Sequence, residues 1–70
     1  MDKANVHEVR LKDRGVTVKL FDYGFYGNPS IGDIIRDDDG NPYTIQGREW
    51  DKGQLVIIVT AGMPSGIMKA

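Results

Sequence analysis

The sequence predicts an all-β domain of five short strands closed into a small antiparallel barrel. The first observation behind this is the uninterrupted aliphatic run Leu55-Val56-Ile57-Ile58-Val59. Alternation sets Leu55, Ile57, Val59 and Ala61 on one face and Val56, Ile58 and Thr60 on the other. Both faces need cover, so this stretch is the central strand. Its β-branching and the flanking Gly53 and Gly62 argue against a buried helix. The second observation is period-two alternation in Val6–Lys12 and Val16–Phe21, through which no apolar helical face can be drawn. The third is punctuation: nine Gly and three Pro in 70 residues imply many turns.

Taken in order, residues 1–5 read as a frayed end. Strands are expected at 6–12 and 15–21, joined by the turn Lys12-Asp13-Arg14-Gly15 as a hairpin. The segment from Asp22 to Ser30 is aromatic but broken by glycines and closed by Asn28-Pro29-Ser30, so it reads as an irregular loop. Strands at 31–36 and 43–49 flank Asp37-Asp38-Asp39-Gly40-Asn41-Pro42, the clearest turn in the chain. Gly47 marks a bulge or bend in the second of them. Glu49-Trp50-Asp51-Lys52-Gly53 then turns the chain into the central strand at 54–61. Residues 66–70 fray or add a short strand. The expected core is Val9, Leu11, Val16, Val18, Leu20, Ile34, Ile45, Leu55, Ile57 and Val59, in one domain spanning 1–70.

Composition narrows the function classes. A chain this short buries about 60% of the surface its unfolded form exposes. It has no cysteine, hence no disulfide and no thiolate metal site, which fits a reducing compartment. Met1–Asn5 lacks a signal-peptide core and no stretch reaches membrane-spanning length, so a cytoplasmic protein is expected. Nine basic and ten acidic residues are mixed along the chain, leaving no global field to draw in nucleic acid.

Few residues offer catalytic chemistry. His7 is the single histidine, and the serines, Ser30 and Ser65, each adjoin a proline. No nucleophile–base spacing links them, and no phosphate-binding glycine motif occurs. The acidic run Asp37–Asn41 invites a calcium reading. With Gly40 at the sixth loop position, however, Ile35 and Gln46 fall where carboxylates are needed. A hairpin turn is expected there, with no metal and no cofactor. Nucleic-acid binding would rest on Arg10, Lys12, Arg14 and Lys19, which gather on the first hairpin beside aromatic residues, diluted by Glu8 and Asp13. The stronger lead is aromatic. A domain this small rarely buries every ring, so Tyr23, Phe25, Tyr26 and Trp50 are expected to form a protein-contact surface.

Several short motifs carry a resemblance. Leu20-Phe21-Asp22-Tyr23 resembles the Ala-Leu-Tyr-Asp-Tyr signature of Src-homology-3 (SH3) domains. Gly32-Asp33-Ile34-Ile35 resembles their Gly-Asp-hydrophobic-hydrophobic strand. Trp50 falls near the place of their ligand-binding tryptophan, and Met63-Pro64-Ser65 resembles their closing Pro-Ser turn. The resemblance spans residues 20–67. The loop before Gly32 is shorter than in that family, the second tryptophan is absent, and Gly66-Ile67 stands where a tyrosine is expected. The pattern is equally similar to KOW and Tudor-type modules and to small barrels of phage and mobile elements. The resemblance implies an SH3-like barrel and proline-rich peptide binding. The residues themselves lead to the expectation of a non-enzymatic adaptor for a protein partner, with nucleic-acid binding through the first hairpin as the alternative. The outer face of the central strand, Val56 and Ile58, is expected to be covered by the tail through Ile67 and Met68, giving a monomer. A homo-oligomer is the second choice.

Overall fold

The computed structural model describes residues 3–63 and contains five strands. These are β1 (Asn5–Asp13), β2 (Val16–Phe25), β3 (Ile34–Arg36), β4 (Pro42–Asp51) and β5 (Gln54–Ala61). They form one sheet in the order β2-β1-β5-β4-β3, so β5 has a strand on each side. Among the described residues, no helix is long and apolar enough to cross a membrane.

The sheet curls into a half-barrel. Phe21 on β2 and Tyr43 on β4 lie three positions apart in strand order, yet their ring centroids are 5.7 Å apart. In a flat sheet the three strand spacings alone would hold them at least about 14 Å apart. Two bulges help the curl, since an extra residue bends a strand and sharpens its twist. Leu20 is left over between the pairs Val9↔Phe21 and Arg10↔Lys19. Gln46 is left over between Ile45↔Val59 and Gly47↔Ile58, beside the glycine expected to mark an irregularity.

The all-β reading holds, but the wholly antiparallel one does not. β1 pairs with β5 in parallel, Glu8↔Val56 through Leu11↔Val59. The reason is arithmetic: when an odd number of strands runs alternately up and down, the first and last point the same way. β2 and β3 close no ladder with each other, so the ring stays open at that seam.

Inside the curl, Val9, Phe25, Ile35, Ile45, Ile57 and Val59 form the buried cluster, with Leu11, Leu20, Phe21, Tyr23, Tyr43 and Leu55 packed on it. Three core expectations need correction. Val16 and Val18 are 62% and 50% exposed, because the first hairpin runs past the β1–β5 ladder, which ends at Leu11. Ile35 rather than Ile34 faces inward: it stands opposite Tyr43, whereas Ile34 stands opposite Thr44. The third strand also begins at Ile34, not Ile31. Asp33 donates its backbone N–H to the Ser30 carbonyl, and Ser30 donates its own to the Asp33 carboxylate, closing a turn.

On the outer face, Val56 and Ile58 are buried too, at 2% and 5% exposure. Arg10 of β1 reaches diagonally over β5 to Asp51 of β4, with Glu8 on its near side. The expected cover by Ile67 and Met68 lies outside the described residues.

Both two-residue hairpins use a positive-φ pair, Arg14-Gly15 between β1 and β2 and Lys52-Gly53 between β4 and β5. This backbone matches the twist of paired strands, but a side chain at its first position is strained. Lys52→Asn is therefore expected to raise stability by about 0.5–1 kcal/mol. Ile57→Ala, by contrast, removes a fully buried side chain and is expected to lower it by about 2–5 kcal/mol. Val16→Ala should stay within about 0.5 kcal/mol of the parent. Urea denaturation followed by circular dichroism reads all three.

Candidate functional site

The four aromatic residues expected to form a contact surface are divided by the fold. β2 runs on through Asp22-Tyr23-Gly24-Phe25 rather than ending in a loop, because Gly24 lets it cross close to Ala4 and Val6. A Cβ at Gly24 would sit 3.0 Å from the Ala4 side chain. Alternation then aligns Phe21, Tyr23 and Phe25 on the inner face. Their rings stack in series, 6.1 Å from Phe21 to Tyr23 and 4.9 Å from Tyr23 to Phe25. Phe25 is buried and Tyr23 half-buried, so this row belongs to the core and Phe25 is withdrawn from any contact surface. Tyr26 and Trp50 remain outside, at 78% and 74% exposure.

Trp50 lies on β4, opposite Leu55, rather than in a turn. It borders an open groove of about 440 Å³ lined by Val6, His7, Glu8, Trp50, Gln54 and Leu55, among others. The parallel ladder accounts for this groove. It pairs only Glu8–Leu11 with Val56–Val59, and below Glu8 the two strands diverge like a fork. Val6, 66% exposed, stands on one tine, and Leu55 stands on the other. His7 leans inward, its ring 5.9 Å from that of Phe25. Sequence reading missed Val6 and His7 as groove residues. Both lie in an alternating strand, and only the fork sets them near Trp50.

The basic residues are also dispersed. The Arg10 guanidinium donates to Glu8 and, at 2.8 Å, to Asp51. The hydrogen bond with Glu8 first, and that with Asp51 second, hold its pKa above the ordinary value. Lys19 stands 3.6 Å from Asp22. Lys12 and Arg14 are exposed near the tip of the first hairpin.

The acidic turn is organised around one carboxylate. Asp37 accepts hydrogen bonds from the backbone N–H groups of Asp39 and Asn41, the Asn41 amide and the Tyr43 hydroxyl. Arg36 ties the same turn by donating to the Gly40 carbonyl at 2.9 Å. The Asn41 side chain, then its backbone N–H, hold the Asp37 carboxyl below the ordinary range. Burial first, and the Asp37 charge second, push the Tyr43 phenol up. This carboxylate is engaged by its own turn.

No known protein family, curated protein or solved structure matches the chain.

Because the folded pKa of Asp37 lies below its unfolded one, its stabilisation is complete above the unfolded value and is lost as pH falls through the folded one. Asp37→Ala should thus lower the urea midpoint at neutral pH. The gap to the parent should narrow progressively below about pH 4. A gap that stays constant down to pH 2 would mean that the charge plays no part.

Proposed function

We propose that this chain is a non-enzymatic binding module that receives an apolar segment of a protein partner in the fork between β1 and β5. The observation that carries the reading is the exposure of Trp50, 74%, on the rim of a groove that also holds the exposed Val6. A large indole held in water by a strand gives up stabilisation that burial against a partner would recover. Aromatic anchors of this kind dominate contact surfaces. The diverging strands also leave backbone donors and acceptors facing the groove, suited to an extended peptide. Tyr26, just beyond β2 at the same end of the sheet, extends the surface. Tyr23 supports it from beneath through the ring stack.

An SH3-like barrel is the finer reading of the half-barrel. It rests on where the resembling motifs fall: Leu20-Phe21-Asp22-Tyr23 on β2, Gly32-Asp33-Ile34-Ile35 leading into β3, and Trp50 exposed at one end. The cytoplasmic, phage-type adaptor role belongs to the same proposal. Nucleic-acid binding ranks second. Of its four residues, Arg10 is held between two carboxylates and Lys19 lies beside a third. Lys12 and Arg14 then supply little of the phosphate neutralisation that such binding needs.

Trp50 is the single tryptophan, so its emission reports the groove directly. Peptides selected by display on the immobilised protein should shift that emission to the blue. Trp50→Ala should weaken their binding at least about tenfold while leaving the urea midpoint near the parent's. Selected peptides that bind Trp50→Ala equally well would sink the reading. Salt-sensitive retention of single-stranded DNA, lost on changing Lys12 and Arg14 to Gln, would move the function to the second one.

A further inference from the structure

Among the described residues, β2 pairs along one edge only, with β1. Its two halves differ along the free edge. From Phe21 to Tyr23 the strand is met by other parts of the chain: Phe21 touches the Tyr43 ring, and a space of about 110 Å³ separates Phe21, Asp22 and Tyr23 from Asp37 and Asp38. From Val16 to Lys19 every residue is exposed, Val16 at 62% and Val18 at 50%. Long apolar edges are commonly blunted by proline, by short length or by charge. Val16-Thr17-Val18-Lys19-Leu20 has no proline, and its one charge is drawn toward Asp22. The opposite edge, β3, is only three residues long.

We propose that this half-edge pairs antiparallel with the same segment of a second copy, about a two-fold axis at Val18. In that register Val18 faces its counterpart, Val16 faces Leu20 and Thr17 faces Lys19. Residues directly opposite point to the same face of a sheet, so the apolar Val16, Val18 and Leu20 of both copies form one row on the inner side. Thr17 and Lys19 fall on the outer side, and no like charges stand opposite each other. The neighbouring registers are worse. Centring on Lys19 sets two ammonium groups face to face, and centring on Thr17 leaves only three residues of each β2 opposed.

Self-complementarity is what selects a second copy over an unrelated strand: one segment supplies both sides, and the two-fold contact closes on itself. The five-residue edge is small, which places the dimer among weak, reversible contacts. Its axis lies near the tip of the first hairpin, whereas Val6 and Trp50 lie at the other end of the sheet. A dimer would thus present two grooves, and its formation does not depend on what the grooves bind.

Sedimentation velocity of the full chain between about 10 and 500 μM tests this, a range suited to weak association. The expected result is a concentration-dependent shift from monomer to dimer. Val18→Lys and Val18→Glu should each be monomeric throughout, with circular dichroism spectra like the parent's, because Val18 is half-exposed. An equimolar mixture of the two variants should dimerise again, since opposite charges then meet across the axis. That rescue is specific to a residue facing its own copy. A parent that stays monomeric throughout the range overturns the proposal. So does a dimer that survives Val18→Lys, or a mixture that remains monomeric.

Discussion

The structure depends on one short ladder, the parallel pairing of Glu8–Leu11 with Val56–Val59. Without it the chain would be two separate antiparallel pieces, β1–β2 and β3–β4–β5, each with one bare apolar face. With it β5 becomes central, flanked by β1 and β4. This is why that strand alone tolerates five aliphatic residues in succession: it has no solvent-facing side on which a polar residue would be favoured. Val9 and Ile57, paired in this ladder, are both at 0% exposure, and the remaining core gathers around them. The ladder's brevity matters as much as its presence. Four paired residues hold the sheet together but leave the starts of both strands free to separate, and that separation forms the groove beside Trp50.

The outer face shows how so small a chain covers a second apolar surface with few apolar residues. On this face Glu8 stands opposite Val56 and Arg10 opposite Ile58, and the Arg10 head reaches from there to Glu8 and Asp51. An arginine suits this position because its methylene stem covers hydrocarbon while its planar head reaches two carboxylates. The ion pairs keep about a quarter to two-fifths of their side-chain surface in water, 26% for Arg10 and Glu8 and 44% for Asp51. Solvent therefore screens them, and their value lies more in fixing where the stem rests than in charge attraction itself. The same arrangement removes Arg10 from the set of cations open to an external partner.

Strand positions were largely legible in the sequence because alternation is a local signal. The span of β5 and the turns at Arg14-Gly15 and Asp37–Asn41 could be read from residue order alone. The failures share a cause: each depended on what lies across the sheet. Phe21, Tyr23 and Phe25 alternate as a strand should, but the intervening Gly24 and the glycines after it gave the segment the look of a loop. Only the closeness of Ala4 explains why a glycine belongs inside β2. Val16 and Val18 alternate as well as any core residues do. Nothing local shows that the hairpin extends past the strand that would bury them. The parallel pair could have been reached by counting, because five alternating strands cannot close antiparallel. The candidate site was the least legible. Trp50 stood out as a lone indole, but Val6 and His7 join it only through the fork.

The seam between β2 and β3 explains why the barrel remains half closed. Backbone pairing there would bring Asp22 of β2 against the turn that holds Asp37 and Asp38, three carboxylates around one small space. Gathering like charges in a space from which water is being excluded is unfavourable. Asp37 is, besides, committed to its own turn, which ends β3 after three residues. Side chains take over where the backbone stops. Phe21 meets the edge of Tyr43, and the Tyr43 hydroxyl donates to Asp37, so the aromatic row is joined to the acidic turn. The hydrogen bond lies within the β3–β4 hairpin, so the ring contact is what spans the seam, and it is weaker than a ladder of backbone bonds. Local opening should therefore start at this seam rather than along β5. The rigid part of the molecule is then β1, β5 and β4, the three strands that carry Val6, Leu55 and Trp50, while the yielding part lies on the far side of the curl.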